Sequence, residues 1–373
     1  MKRLLSAVIG ALALASPAVA ARPPSVDAPS YLVVNGKTGE VLAARNAHAR
    51  RPIASITKLM TVLVALEHVK LSDDVLVQRS AAAVGESSIN LRAGEHISVL
   101  DLVDAALIQS ANDAAYALAA YAGNGDVAAF VREMNEKAHA LRLVDTHFVR
   151  PDGLDASGEY SSAADVTRLA RIAMREPEIR DIVRLRTEAI AGGRALHTWN
   201  DLLGTFPGLF GVKTGHTGAA GWCEVAAARR PGFTIYATIL GSPSRGQRNH
   251  DLAALLRWGL SRYRVASVVS EGRTYALAQT GYGRAPLRLV AASGIRRAVR
   301  VDRPLVARVV ATAAVSLPVH AGDRLGVVRV YSGKRLLGTR ALVASRSVER
   351  PGVGGRVVFY AGRTVKHIWG WVS

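Results

Sequence analysis

Hydrophobic and polar positions alternate through residues 31–44, YLVVNGKTGEVLAA, around Asn35-Gly36 and Thr38-Gly39. That alternation predicts a β-hairpin opening a domain. The period then changes to three and four. In 55–69, Leu59, Val62, Leu63 and Leu66 share one face, and 99–122 and 126–141 repeat the signal, so a block of amphipathic helices follows the hairpin. A turn-rich stretch at 150–160 leads into a short helix at 163–175 and strand-like runs at 187–190, 212–214, 221–228 and 234–240. A helix over 249–262 is expected to pack back on the sheet and close the domain. Beyond residue 265 the runs shorten to pieces such as LRLVAA, RPLVARVVA and DRLGVVRVY, separated by Gly, Pro and charged turns, which predicts a small all-β domain.

Both ends of the chain differ from this plan. Lys2 and Arg3 precede an apolar run, 4–14, and then Ala18-Val19-Ala20, so 1–20 reads as a signal peptide cleaved after Ala20; a first transmembrane helix is the competing reading, disfavoured by the short run and by Arg22, Pro23 and Pro24 after it. No second segment is long enough to cross a bilayer. At the far end Val358, Ala361, Val365, Ile368 and Val372 recur at spacings of three and four, with Arg363 and Lys366 off that face and Trp369 and Trp371 near the end. Residues 354–373 are a candidate amphipathic membrane-interface tail. Gly362 and Gly370 weaken the helix, and a terminal strand and tail packed on the β domain is the competing reading. With 373 residues there is material for two cores, 25–264 and 265–353.

Composition narrows the partners. Lys and Arg outnumber Asp and Glu by 48 to 29, a net charge of +19, and loss of Lys2 and Arg3 with the leader leaves +17. An exported basic protein meets anionic lipid and wall polymers first, so no nucleic-acid partner is expected; arginine-rich coding alone would also raise the charge. The lone Cys223 excludes a disulfide within the chain and reads as a core residue. The ten histidines are scattered without HExxH or a comparable ligand spacing, so neither metal nor other cofactor is expected.

Three short motifs carry the chemistry. Ser55-Ile56-Thr57-Lys58 stands where an extended segment with Pro52 gives way to a helix. Spacing of i, i+3 places an amine on the hydroxyl's face, where it can take the proton if burial and neighbouring cations keep it neutral. Ser110-Ala111-Asn112 sits in a long helical region, yet a hydroxyl and an amide two residues apart cannot share a regular helix face, so a turn or break is required there. Lys213-Thr214-Gly215 lies in GVKTGHTGAAG; on an edge strand it could border a cleft, and Gly215 would admit a peptide backbone closely. Each triplet alone is weak, and their order together is not: SxxK with KTG and a middle Ser-x-Asn element marks penicillin-binding proteins and class A β-lactamases.

On these motifs, and on NGKTGEVL, RPIASITKLMT, LVDAALIQSANDAA, DGLDASGEYSSAADV and GVKTGHTGAAG in order, the chain resembles the low-molecular-mass penicillin-binding proteins that are serine-type D-alanyl-D-alanine carboxypeptidases. The likeness spans roughly residues 30–263. It implies a β-lactamase/transpeptidase-like α/β (α+β) fold, an antiparallel sheet with helices on both sides plus an all-helical block, followed by the small β-rich domain. It implies Ser55 as nucleophile, Lys58 as its base and Ser110 as proton relay to the leaving amine. Asn112 would hold the substrate amide, Lys213 and Thr214 the terminal carboxylate, Gly215 would let the peptide backbone approach, and the N–H groups of Ser55 and His216 would hold the oxyanion. Arg248, in SRGQRNHD before the closing helix, is similar to a family arginine that attracts the carboxylate. The implied partners are peptidoglycan stem peptides ending in D-Ala-D-Ala, β-lactams as covalent inhibitors, and an anionic membrane surface for the tail. The implied location is the periplasm or the outer face of the cytoplasmic membrane. Where the family often has Asn-Pro-His-Gly, this chain has Arg150-Pro151-Asp152-Gly153, leaving the role of Asp152 open. D,D-endopeptidase or transpeptidase action, a β-lactamase, and a non-catalytic wall-binding scaffold are the alternatives. A β-lactamase would leave the region past 265 surplus, and the intact motifs argue against a scaffold.

Overall fold

The structure, a computed structural model, describes residues 7–15 and 22–354 together with Val357, Phe359 and Ala361. The chain divides into two units, Arg22–Ser261 and a second built from Arg262–Ser373 with Met1–Ala21.

The first unit is organised on five antiparallel strands in the order Val41–Arg45, Ser30–Asn35, Phe233–Ser242, Gly221–Arg230, Leu209–Thr217. The opening hairpin closes through Asn35, whose Oδ1 accepts from the backbone N–H of Lys37 and of Thr38, both at 3.0 Å, so a short polar side chain makes the turn. Ser30–Asn35 then pairs with Phe233–Ser242, which joins the two ends of the unit and encloses the helical block between them. Helices cover both faces. Thr238 meets Thr167 of the helix Ala163–Ala173 at 2.6 Å, whereas Ile235, three residues earlier and so on the opposite face, packs on Gly259 of the helix Arg245–Ser261.

The helical block contains Lys58–Ala65, Val99–Asp104, Asn112–Ala122 and Val127–Ala140, with Leu59, Val62, Leu102, Leu118, Phe130 and Met134 fully buried among them. The break required within 99–122 takes the form of a π turn at Ala105–Gln109 and of Ser110 in the left-handed region at φ 66°, ψ 31°. The closing helix begins at Arg245, four residues before the expected Asn249, because the Ser244 hydroxyl accepts from the N–H of Gln247 and starts the first turn.

In the second unit a six-stranded antiparallel sheet runs Ala7–Ala15, Leu305–Thr312, Arg324–Ser332, Arg335–Ala344, Leu287–Ala291, Thr274–Ala278, beside the pair Tyr263–Val269 and Ile295–Arg300. Alternate residues Leu305, Ala307, Val309 and Ala311 point into its core. The apolar part of the expected leader is therefore a strand in this chain, Ala7 opposite Thr312 and Ala13 opposite Val306. The expected cleavage site at Ala20 lies outside the described residues. Of the expected tail, Gly354, Val357, Phe359 and Ala361 are helical, and Phe359 sits edge-on to Tyr282 with centroids 5.6 Å apart; the remainder lies outside the described residues. Among the described residues no helix is long and apolar enough to cross a membrane.

Candidate active site

Ser55 lies in a tight 3-10 turn, Ala54–Thr57, directly before the helix Lys58–Ala65. In such a turn residues i and i+3 eclipse, which brings Lys58 Nζ to 2.8 Å from Ser55 Oγ. Ala54, with φ 50°, holds a left-handed conformation that L-residues with side chains rarely adopt, so the turn that presents the serine is strained. Ser55 is half-buried and Lys58 has no exposed surface. Besides Ser55, the Lys58 amine donates to Asn112 Oδ1 and to the Asp152 carbonyl, each at 2.7 Å.

Burial lowers the Lys58 amine to about 7. The sequence reading credited neighbouring cations with part of this effect. The carboxylates of Asp152, Glu159, Asp113 and Glu86 favour the ammonium and desolvation wins against them, while the neighbouring cation is Lys213, whose own amine is depressed by burial and then by the Lys58 charge.

The helix break explains how Ser110 and Asn112 reach one cleft. The π turn and the left-handed Ser110 turn the chain before Asn112 starts a new helix, so both side chains are buried toward the same centre. Asn112 is engaged at both ends: Oδ1 accepts from Lys58, and Nδ2 donates to the Gly85 carbonyl at 2.9 Å. Only its second N–H and second lone pair are left for a substrate amide, so its first contact is with the lysine. Beside it, buried Asp113 accepts from Ser88 Oγ at 2.6 Å and from the N–H of Leu91 at 3.0 Å, tying down the loop that carries Gly85 and Ser87.

Lys213, Thr214, Gly215 and His216 lie on Leu209–Thr217, the edge strand of the sheet. A Cβ at Gly215 would come within 2.7 Å of the Ile53 carbonyl and 3.1 Å of the Ser55 nitrogen, so this strand lies against the nucleophile turn and only glycine fits. Lys213 Nζ donates to Ser110 Oγ at 2.7 Å and to the Thr214 carbonyl at 2.9 Å. Burial, and then the Lys58 charge, hold Lys213 well below the ordinary lysine range. His216 is exposed, its ring stacked on Trp222 at 4.0 Å.

Arg248 stands in the first turn of the closing helix rather than before it, which corrects the sequence reading. It is 1 % exposed, and its Nη2 donates to Asn249 Oδ1 at 2.7 Å and to Asp201 Oδ2 at 3.3 Å. Ser55, Ser110, Thr214, Gly215, His216 and Arg248 line one cleft of about 220 Å³. Among the described residues no group of three or more His, Cys, Asp or Glu side chains is placed to hold a metal.

Asp152 divides in two. Its carboxylate receives Arg150 Nε at 2.9 Å and Nη2 at 2.8 Å, and the Leu154 N–H at 3.0 Å; only its carbonyl touches Lys58. Sequence reasoning missed this main-chain contact, and it missed Glu224, a charged residue inside the buried strand GWCEVAAA whose position alone was a usable signal. Cys223 is buried and free, its thiol pushed up to about 11 by burial.

The chain is similar to known proteins over most of its length. The D-alanyl-D-alanine carboxypeptidase family matches over residues 17–244. D-alanyl-D-alanine carboxypeptidase DacD of Salmonella typhimurium is 31% identical over 366 residues, covering 93% of this chain and 94% of its own. DacD of Escherichia coli is 34% identical over 274 residues, 70% of each chain. Among solved structures, DacD of Francisella tularensis superposes with a TM-score of 0.65 at 25% identity, over 91% of this chain and 98% of its own. The Streptomyces K15 DD-transpeptidase does so with a TM-score of 0.62 at 31% identity, over 65% of this chain and 100% of its own. With more than half its length matched, and with serine, lysine and KTG strand gathered in one cleft, this chain belongs to the D-alanyl-D-alanine carboxypeptidase family.

Proposed function

We propose that this serine D,D-carboxypeptidase removes the terminal D-alanine from peptidoglycan stem peptides through an ester on Ser55. The observation that carries the assignment of roles is the setting of Lys58 Nζ. As a neutral amine it keeps two N–H bonds for Asn112 Oδ1 and the Asp152 carbonyl and aims its lone pair at the Ser55 hydroxyl. Ser55 Oγ bonds to the carbonyl carbon of the penultimate D-alanine while its proton passes to Lys58. The backbone N–H groups of Ser55 and His216 receive the oxyanion. When the C–N bond breaks, Ser110, hydrogen-bonded to Lys213, hands its hydroxyl proton to the departing amine and is reprotonated by the proton Lys58 took from Ser55, so D-alanine leaves and Lys58 is neutral again. Water then attacks the ester with Lys58 again taking the proton, which frees the trimmed peptide and restores Ser55.

Lys213, Thr214 and Arg248 hold the terminal carboxylate, and Gly215 lets the peptide backbone lie along the edge strand. Penicillins acylate the same oxygen by opening the lactam ring. Endopeptidase and transpeptidase reactions share the acyl-enzyme and differ only in the bond cut or the acceptor. The leader pattern at 1–20 and the basic excess support export, with residues 354–373 lying on an anionic membrane surface.

Fluorescent penicillin tests the chemistry. Wild type is expected to carry one covalent label that Ser55→Ala abolishes, and an unchanged label in Ser55→Ala would remove the nucleophile. Incubation with a pentapeptide and with a crosslinked dimer is expected to release D-alanine from the former; cleavage of the dimer alone would make the enzyme an endopeptidase.

A further inference from the structure

Glu224 sits on Gly221–Arg230 directly opposite Thr214 of the KTG strand. It has no exposed surface, and neither carboxylate oxygen has an aligned hydrogen-bond donor. Its close partner is Arg248, whose Nε lies 3.1 Å from Oε2 as an ionic contact. The charges facing it are Arg248 from the closing helix, Asp201 from the loop before the edge strand, and Lys213 from that strand. An uncompensated carboxylate here would be costly, and so would the buried Arg248 guanidinium without an anion.

The guanidinium of Arg248 is gripped on several sides. Nε donates to Asn249 Oδ1 at 3.1 Å, and Nη2 reaches Asn249 Oδ1, Asp201 Oδ2 and the Trp199 carbonyl. The Trp222 ring lies 5.7 Å from its central carbon. Nη1 has no hydrogen-bond partner among the described residues, and Arg248 lines the cleft that holds Ser55. A planar fork with Nε and one amine fixed has one arm left to offer.

We infer that Glu224 is a positioning residue: a buried counter-anion one strand behind the KTG strand that fixes the Arg248 guanidinium so that Nη1 meets the substrate's terminal carboxylate. The inference rests on the reading of Arg248 as part of the carboxylate site. A role in stability alone would predict otherwise, since a buried ion pair is often replaced by well-packed apolar residues with no loss of stability. Glu224 therefore acts on substrate binding through the direction and charge balance of Arg248 and Lys213.

The test uses the full chain, an N-acylated D-Ala-D-Ala peptide, and the variants Glu224→Leu, Glu224→Gln, Arg248→Leu and the double variant Glu224→Leu with Arg248→Leu. KM and kcat are measured separately, with thermal melts to establish the folded fraction. Arg248→Leu is expected to raise KM; if it leaves KM unchanged, the carboxylate reading of Arg248 falls, and this inference with it. Glu224→Leu is expected to raise KM about tenfold with kcat within about twofold. Glu224→Gln, which keeps the shape and an acceptor, is expected to recover about half of that loss on a logarithmic scale. The double variant should be no worse than Arg248→Leu. If Arg248→Leu raises KM while Glu224→Leu does not, or if the two effects add in full, Glu224 is a core residue without this role. Should Glu224→Leu fail to fold, Glu224→Gln decides: a KM equal to wild type overturns the inference.

Discussion

Lys58 Nζ stands 2.8 Å from Ser55 Oγ with its two remaining directions already taken by Asn112 and the Asp152 carbonyl. The amine is thus oriented before any substrate arrives, and burial has brought it down to about 7. A base must be unprotonated, and the neutral fraction of a lysine grows above its pKa. Acylation measured by stopped-flow with penicillin is therefore expected to rise with pH through about 7 and level off above it. A flat profile between about pH 5 and 9 would remove Lys58 as the base.

Lys58→Arg separates charge from basicity. A guanidinium stays protonated in proteins, so acylation should fall on the order of 10³-fold, while the cation remains available to neighbouring acceptors. Retention of even a tenth of wild-type acylation in a folded variant would contradict the mechanism.

Gly215→Ala places a methyl group 2.7 Å from the Ile53 carbonyl, against backbone that cannot swing aside. The edge strand must shift relative to Ser55, and an error near 1 Å at a reacting centre costs about 10²-fold. The variant should keep its melting temperature within a few degrees and lose acylation by about that factor.

Asp152→Asn addresses the loop in which the chain departs from the common family sequence. The carboxylate is held by Arg150, itself partly exposed, so the change should cost about 1–3 kcal/mol in urea unfolding. Acylation and deacylation per folded molecule should stay within about threefold, because Lys58 touches the carbonyl. A selective loss of deacylation would instead give the carboxylate a chemical role.

Deletion of the residues after Gly355 should abolish most pelleting of the mature protein with anionic vesicles. The amphipathic pattern in that segment, with Arg363 and Lys366 off the apolar face, is the basis of the expectation. Unchanged pelleting would reject the anchor.

Much of the site was legible because its motifs are local. Ser55 with Lys58, Ser110 with Asn112, and Lys213 with Gly215 each announce themselves by spacing, and the need for a break at Ser110 followed from helix geometry alone. The form of that break did not: nothing in AALIQS distinguishes a π turn ending in a left-handed serine from an ordinary kink. Arg248 was misplaced by one helical turn because Ser244 was not recognised as the cap. The carboxylates that oppose the lowering of Lys58 were not foreseen, because they come from three separate segments around 86, 113 and 150–160, whereas burial could be anticipated from the apolar helix that follows. Glu224 was visible as a charge in an apolar strand, yet its partner lies on a helix packed across the sheet, a relation that no spacing encodes.

The bond from Lys58 to the carbonyl at position 152 has a bearing on how such enzymes are dissected. Every amino acid supplies that oxygen, so side-chain scanning across 150–153 passes over it, and the letters of the loop can drift while the lysine keeps its partner. Only a change that redirects the main chain itself, such as an insertion or a backbone ester, would expose what this loop contributes to the nucleophile.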